Sequence, residues 1–133
     1  MNRKLFYALN LTWGLPMNLI GAIVALGLMA VGYRPTRYGE CLCFRVGDRW
    51  GGVSFGMVMV VSQGGTEDTL NHEHGHAVQN AVYGFLMPFI VSIPSATRYW
   101  YRRTQDPSTL PPYDSIWFEG QATEWGNKYM KRY

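Results

Sequence analysis

The sequence predicts a small α+β fold: an antiparallel β-hairpin or small sheet packed on a histidine-bearing helix and a C-terminal glutamate helix, behind an apolar N-terminal helical segment. Three observations predict it. Residues 66–84 carry helix signals at both ends around His72-Glu73-His74-Gly75-His76, residues 41–62 hold two β-like runs, and no charged residue lies between Lys4 and Arg34. The chain of 133 residues fits one domain, read as an apolar segment (5–33) and a core (40–130). With 47% hydrophobic and 16% charged residues it is not a disordered chain. Two cysteines exclude a disulfide-rich scaffold. The net charge is +3, but Arg and Lys are scattered, which argues against nucleic acid as a partner. A mean hydropathy of −0.12 excludes an ordinary multi-span membrane protein and leaves room for one span.

Leu19 to Gly32 contains no polar side chain, and Leu11 to Val31 is long enough to cross a bilayer, with Trp13 and Tyr33 near its two interfaces. Pro16 falls in the first turn of a helix beginning at Leu15, where its missing N–H is harmless. The segment reads as a membrane span or embedded hairpin, as a buried core helix, or as a cleaved signal peptide after Arg3 and Lys4. Arg34, Arg37, Arg45 and Arg49 follow it, so the body of the protein belongs on the cytoplasmic side if the segment enters a membrane, or in the cytoplasm if it does not.

Cys41–Val46 and Gly52–Ser62 are β-like, and 47–51 between them supplies turn residues, so the two runs are expected to pair antiparallel. Gly52, Ser54 and Gly56 make one face of the second run small. That is either tight packing or an edge that another backbone approaches, such as a peptide substrate. Cys41 and Cys43 share a strand face and are expected as reduced, partly buried side chains.

All three histidines lie within five residues. Thr66 is the expected N-cap, Glu67 and Asp68 favour the positive end of the helix dipole, and Gly84 ends the helix before Pro88. At 100° per residue His72 and His76 are about 40° apart and can bind one Zn²⁺. Glu73 is about 60° from His76, placed to act as a base on water at the metal. Gln79, Asn80 and Tyr83 continue a polar, solvent-facing side; Leu70, Ala77, Val78, Ala81 and Phe85 form the apolar side. His74 points into the apolar side and is expected to be packed or hydrogen-bonded. Mid-helix Gly75 suggests close approach of a neighbouring strand.

A catalytic zinc usually has three protein ligands. The downstream acids are Asp106, Asp114, Glu119 and Glu124. On a final helix expected over 113–130, Glu119, Ala122, Thr123 and Gly126 share a small face that lets two helices approach closely, so Glu119 is the expected third ligand.

His72-Glu73-x-x-His76 followed by Glu119-x-x-Ala122 resembles the gluzincin zinc metallopeptidases, including the short minigluzincins. His-Glu-x-Gly-His-x-x-Gln with a later Ile93-Pro94-Ser95 resembles a set of short uncharacterised bacterial proteins predicted to be metallopeptidases. The resemblance covers roughly residues 50–126. It implies zinc held by His72, His76 and Glu119, Glu73 as general base, and a strand near Gly52–Ser62 binding a peptide or protein substrate in extended form, with Ser54 and Gly56 among its contacts. It supplies no match for the tyrosine or histidine that steadies the transition state; Gln79, Tyr83, Tyr99 and Tyr113 are the candidates. The rival functions are a non-catalytic zinc-stapled protein that binds a membrane or a partner, and a metal-free membrane-anchored interaction protein. A second uncharged run, Ala77–Thr97, ends in Arg98-Tyr99-Trp100-Tyr101-Arg102-Arg103, a mixture suited to a membrane surface or to a solvated helix end.

Overall fold

The computed structural model describes residues 1–131 and has the expected α+β architecture. In chain order it contains α1 (Arg3–Leu11), α2 (Leu15–Ala30), β1 (Thr36–Tyr38), β2 (Cys41–Arg45), β3 (Gly52–Phe55), β4 (Val58–Val61), α3 (Glu67–Tyr83), α4 (Ile93–Arg103) and α5 (Trp117–Met130). A π-helical stretch, Pro88–Ser92, leads into α4.

The N-terminal apolar run is not one helix. The chain bends by 87° between α1 and α2, at Thr12-Trp13-Gly14. Three asparagines explain the bend. Asn80 of α3 donates to the Asn10 side chain (2.7 Å) and to the Gly14 carbonyl (3.0 Å), and Asn18 donates to the carbonyls of Asn10 (2.6 Å) and Gly14 (3.1 Å). These carbonyls are left over where a helix is interrupted, and burial without partners is costly. The Asn18 carbonyl oxygen also accepts the Met57 N–H (2.7 Å), which fastens the elbow to the β3–β4 turn. Pro16 sits in the first turn of α2, as expected. Among the described residues no single helix is long and apolar enough to cross a membrane.

The sheet corrects the expected pairing. Its order is β1-β2-β4-β3, with β2 and β4 parallel and β3 and β4 antiparallel. The run Gly52–Ser62 is therefore two strands, folded back at Gly56 (φ +65°), rather than one strand paired with Cys41–Val46. The reason is burial on both faces. Val58, Val60, Phe44 and Ala25 form one cluster beneath α2, while Met59, Val61, Cys41 and Cys43 pack against Phe6, Leu70, Ala77 and Val78 on the other side. A central strand covered twice needs no polar face, so Val58–Val61 is apolar throughout. The cysteines are free and buried on one face, as expected. Strand β3 is left at the sheet edge.

Helix α3 ends where the sequence places its ends, with Thr66 at the N-cap and Gly84 (φ +56°) at the C-cap, though Thr66 makes no side-chain capping bond. It differs from expectation in having no wet side. Glu73 through Ala81 are all buried, because α5 covers the face that the polar residues occupy, whereas Phe85 is exposed. Helix α5 begins at Trp117, later than the expected 113, after a 3₁₀ turn over Tyr113–Ser115. The close neighbour of Gly75 is this helix rather than a strand. A Cβ built on Gly75 would lie 1.8 Å from the Ala122 carbonyl oxygen, and one on Gly126 would lie 1.8 Å from that of Asn71. The small face of α5 is thus seated directly on the α3 backbone.

Gly75→Ala is expected to destabilise the fold by about 3 kcal/mol or more, since backbone blocks the methyl group and relief requires the helices to separate. Gly27→Ala, with nothing within 4 Å, is expected to be neutral or to stabilise by up to ~1 kcal/mol. Denaturant titration of the two variants tests the contrast.

Candidate metal centre

The α3–α5 contact brings His72, His76 and Glu119 together. Glu119 Oε1 lies 3.3 Å from His72 Nε2 and 3.0 Å from His76 Nε2, and one ligand atom from each residue falls within 4.8 Å of the others. Bonds of 2.0–2.1 Å to one tetrahedral ion separate neighbouring ligand atoms by about 3.3 Å. The two imidazoles stand edge to face, with centroids 4.8 Å apart.

The outer nitrogens decide what the inner ones offer. His76 Nδ1 is 2.7 Å from Gln79 Oε1, an acceptor, so this nitrogen carries the proton. Thr123 Oγ1 donates to Asp114 Oδ2 (2.5 Å) and therefore accepts from His72 Nδ1 at 2.7 Å. Both Nε2 atoms are then left with lone pairs facing a carboxylate oxygen. Glu119 Oε1 is buried with no hydrogen-bond donor. Three converging lone pairs repel one another unless a cation lies between them, so the donor set fits a divalent ion held by two imidazoles and a carboxylate.

The titration behaviour expresses the same demand for positive charge. Burial by itself pulls His76 down, but a proton on Nε2, taking the place of a cation, gains a hydrogen bond to Glu119 and the attraction of the Glu73 and Glu119 charges, and the net shift is upward. Burial pushes Glu119 up, but in that same protonated state hydrogen bonds from His72 and His76 overcome this and hold its carboxyl well below the usual range. Burial dominates at Glu73, whose pKa is raised despite the nearby histidines. Its Oε2 is buried and unpartnered.

The other sequence candidates fall into two groups. Tyr113 and Ser54 line a cavity of about 420 Å³ together with Glu73, His76 and Tyr99. Gln79 does not face it. Besides orienting His76, Gln79 donates to the Phe118 carbonyl (2.8 Å) and to Gln121 (3.0 Å). Tyr83 donates to Gln121 (2.6 Å), and Gly56 packs on Asn18, so neither of these reaches the cavity. Asp114 is a partner of Thr123 and not a ligand, Asp106 is an exposed cap of a 3₁₀ turn, and Glu124 is exposed. His74 is buried against Glu40 (3.1 Å), which also pairs with Arg3.

The sequence reading missed the positioning roles of Thr123, Gln79 and Ser95. Ser95 Oγ donates to Glu119 Oε2 at 2.8 Å and so fixes the carboxylate that offers Oε1 inward. The signals were present: Thr123 is one turn from Glu119, Gln79 is three residues from His76, and Ser95 closes the Ile93-Pro94-Ser95 segment. No protein-family model, curated protein or solved structure matches the chain.

His76→Ala and Glu119→Ala are each expected to abolish retention of a divalent ion through dialysis. Gln79→Met is expected to weaken retention by about 10- to 100-fold, the usual cost of losing the partner of a ligating histidine. Titration against a chromophoric chelator measures both.

Proposed function

We propose that the protein is a zinc-dependent metallopeptidase of gluzincin type. The observation that carries this reading is the convergence of His72 Nε2, His76 Nε2 and Glu119 Oε1 beside a buried, unpartnered Glu73 carboxylate. Two imidazoles and one carboxylate suit zinc. The point of convergence also has an open side: Glu73 and His76 line the 420 Å³ cavity, and His72 and Glu73 line a second one. A purely structural zinc site is normally closed by four protein ligands.

A zinc ion held there by His72, His76 and Glu119 would supply Lewis acidity and lower the pKa of a water toward neutrality. Glu73 Oε2 would be the base that takes the proton. As the general base it would then return the proton to the departing amine. Strand β3, with one free edge beside the cavity, offers backbone groups to an extended peptide. The apolar walls supplied by Met17, Val53, Phe55 and Val91 accommodate a large apolar side chain. Tyr113 stands beside His72 (ring centroids 6.1 Å) and Glu119, and burial, the Glu119 charge and a hydrogen bond to Glu119 keep its hydroxyl protonated, so by turning from Glu119 it would become a donor to a developing oxyanion.

Glu73→Gln is expected to keep zinc bound and to abolish cleavage of a quenched-fluorescence peptide library. Unchanged turnover by that variant rejects the role. Tyr113→Phe is expected to lower kcat by roughly two orders of magnitude with KM little changed. Chelation of the zinc is expected to stop turnover and lower Tm together, because the ion binds only the folded site.

A further inference from the structure

The part of the molecule that the metal site does not use is the outward side of α2. Its buried positions, Met17, Gly21 and Ala25, recur every fourth residue and face the sheet and the 87–91 segment that precedes α4. A surface helix ordinarily turns polar residues outward. Here the outward side is apolar from end to end, with Leu19, Ile23 (71% exposed) and Leu26 (66% exposed) at its centre. A second apolar group adjoins it. Trp13, at the start of α2, packs on Phe85 (5.5 Å), and Met17 packs on Met87 and Val91, so the neighbouring segment projects Phe85, Phe89 (70% exposed) and Ile93 beside α2.

Charge says what covers this surface. Residues 11–39 and 82–105, which carry and adjoin it, contain five Arg and no Lys, Asp or Glu, whereas the rest of the chain has nine carboxylates and seven cations. The cations stand at the margins: Arg34 and Arg37 follow α2, and Arg102 and Arg103 end α4, where Arg103 lies over Tyr99 and Trp100. A protein interface of this size would carry about one hydrogen bond per 100–200 Å², and the outward side of α2 offers no polar side chain. An apolar centre rimmed by aromatic rings and cations is the composition of a lipid-facing surface. The geometry limits how deep it goes. Helix α2, with 16 residues, is about 24 Å long, short of the ~30 Å hydrocarbon core, and the two apolar segments bend by 87° and 117°.

We propose that the outward side of α2, with the 85–93 segment beside it, dips into one leaflet of a bilayer bearing anionic headgroups without crossing it. The cavity at Glu73 and His76 is lined by Met17, on the inward side of α2, and by Trp100 and Arg103 of α4. The inference itself does not depend on catalysis.

The test is flotation of the full chain, added from detergent, with phosphatidylcholine vesicles containing or lacking phosphatidylglycerol. The protein is expected to float with the anionic vesicles, and less so as salt rises. Ile23→Asn and Phe89→Asn are each expected to reduce partitioning about ten-fold or more with unchanged Tm. Thr12→Cys and Val31→Cys, in the chain on either side of α2, are expected to react with an impermeant maleimide from the same side. Failure to float, variants that float like the wild type, or labelling of the two ends from opposite sides overturns the proposal. So does a dimer that Ile23→Asn converts to a monomer without any vesicle binding, which would assign the surface to a second copy of the chain.

Discussion

Backbone-to-backbone contact between α3 and α5 is the constraint on which the rest depends. Gly75 meets the Ala122 carbonyl, and Gly126 meets that of Asn71, with no room for a Cβ at either place. Helices with ordinary side chains between them pack 8–10 Å apart. Here the absence of side chains draws them closer, and that lets a short Glu119 side chain on one helix reach the imidazoles on the other. The same contact buries much of the polar side of α3: His76 and Gln79 bond to one another, Asn80 bonds to the α1–α2 elbow, and Glu73 Oε2 is left without a partner. The metal-site geometry is thus a consequence of two glycines that touch no ligand atom.

Burial turns this geometry into chemistry. Gln79 and Thr123 occupy the Nδ1 positions and force both Nε2 lone pairs inward, while Ser95 occupies one oxygen of Glu119 and leaves the other facing them. The cluster lacks positive charge at its centre, and the upward shift of His76 and downward shift of Glu119 are two signs of that single deficit. Glu73 is placed differently. Beneath β3, where only glycine at position 52 leaves it space, it feels burial more than it feels the histidines, and its pKa moves the other way. Opposite shifts set Glu119, held anionic, apart from its neighbour Glu73, which takes up a proton more readily.

The molecule also divides its charge along the chain. Its carboxylates are confined to 40–73 and 106–124, and α2, α4 and the segment 85–92 that leads into α4 contain none. The buried asparagines at the α1–α2 elbow belong to this division. They satisfy the interrupted backbone inside the protein, so the bend can be kept without water.

The sequence by itself determined helix α3 with both of its ends, and it singled out His72, Glu73, His76 and Glu119, because helical spacing is local and ligand chemistry admits few residue types. It also determined that Gly75 needed a close neighbour and that one face of α5 was small. It did not determine that these two facts describe one contact, so it assigned Gly75 to a strand and left α3 a solvent-facing side. Only the tertiary structure decided that β2 pairs with β4 in parallel, since an apolar run such as Val58–Val61 fits a strand covered on both faces as well as half of a longer one. Only the tertiary structure set the bend at Thr12–Gly14 and the orienting roles of Gln79, Thr123 and Ser95, because each rests on a partner 24 to 70 residues away, such as Ser95 with Glu119, Asn10 with Asn80 or Gln79 with Gln121. Periodicity along a chain reports which way a side chain points; what it meets there is fixed by the elements folded against it.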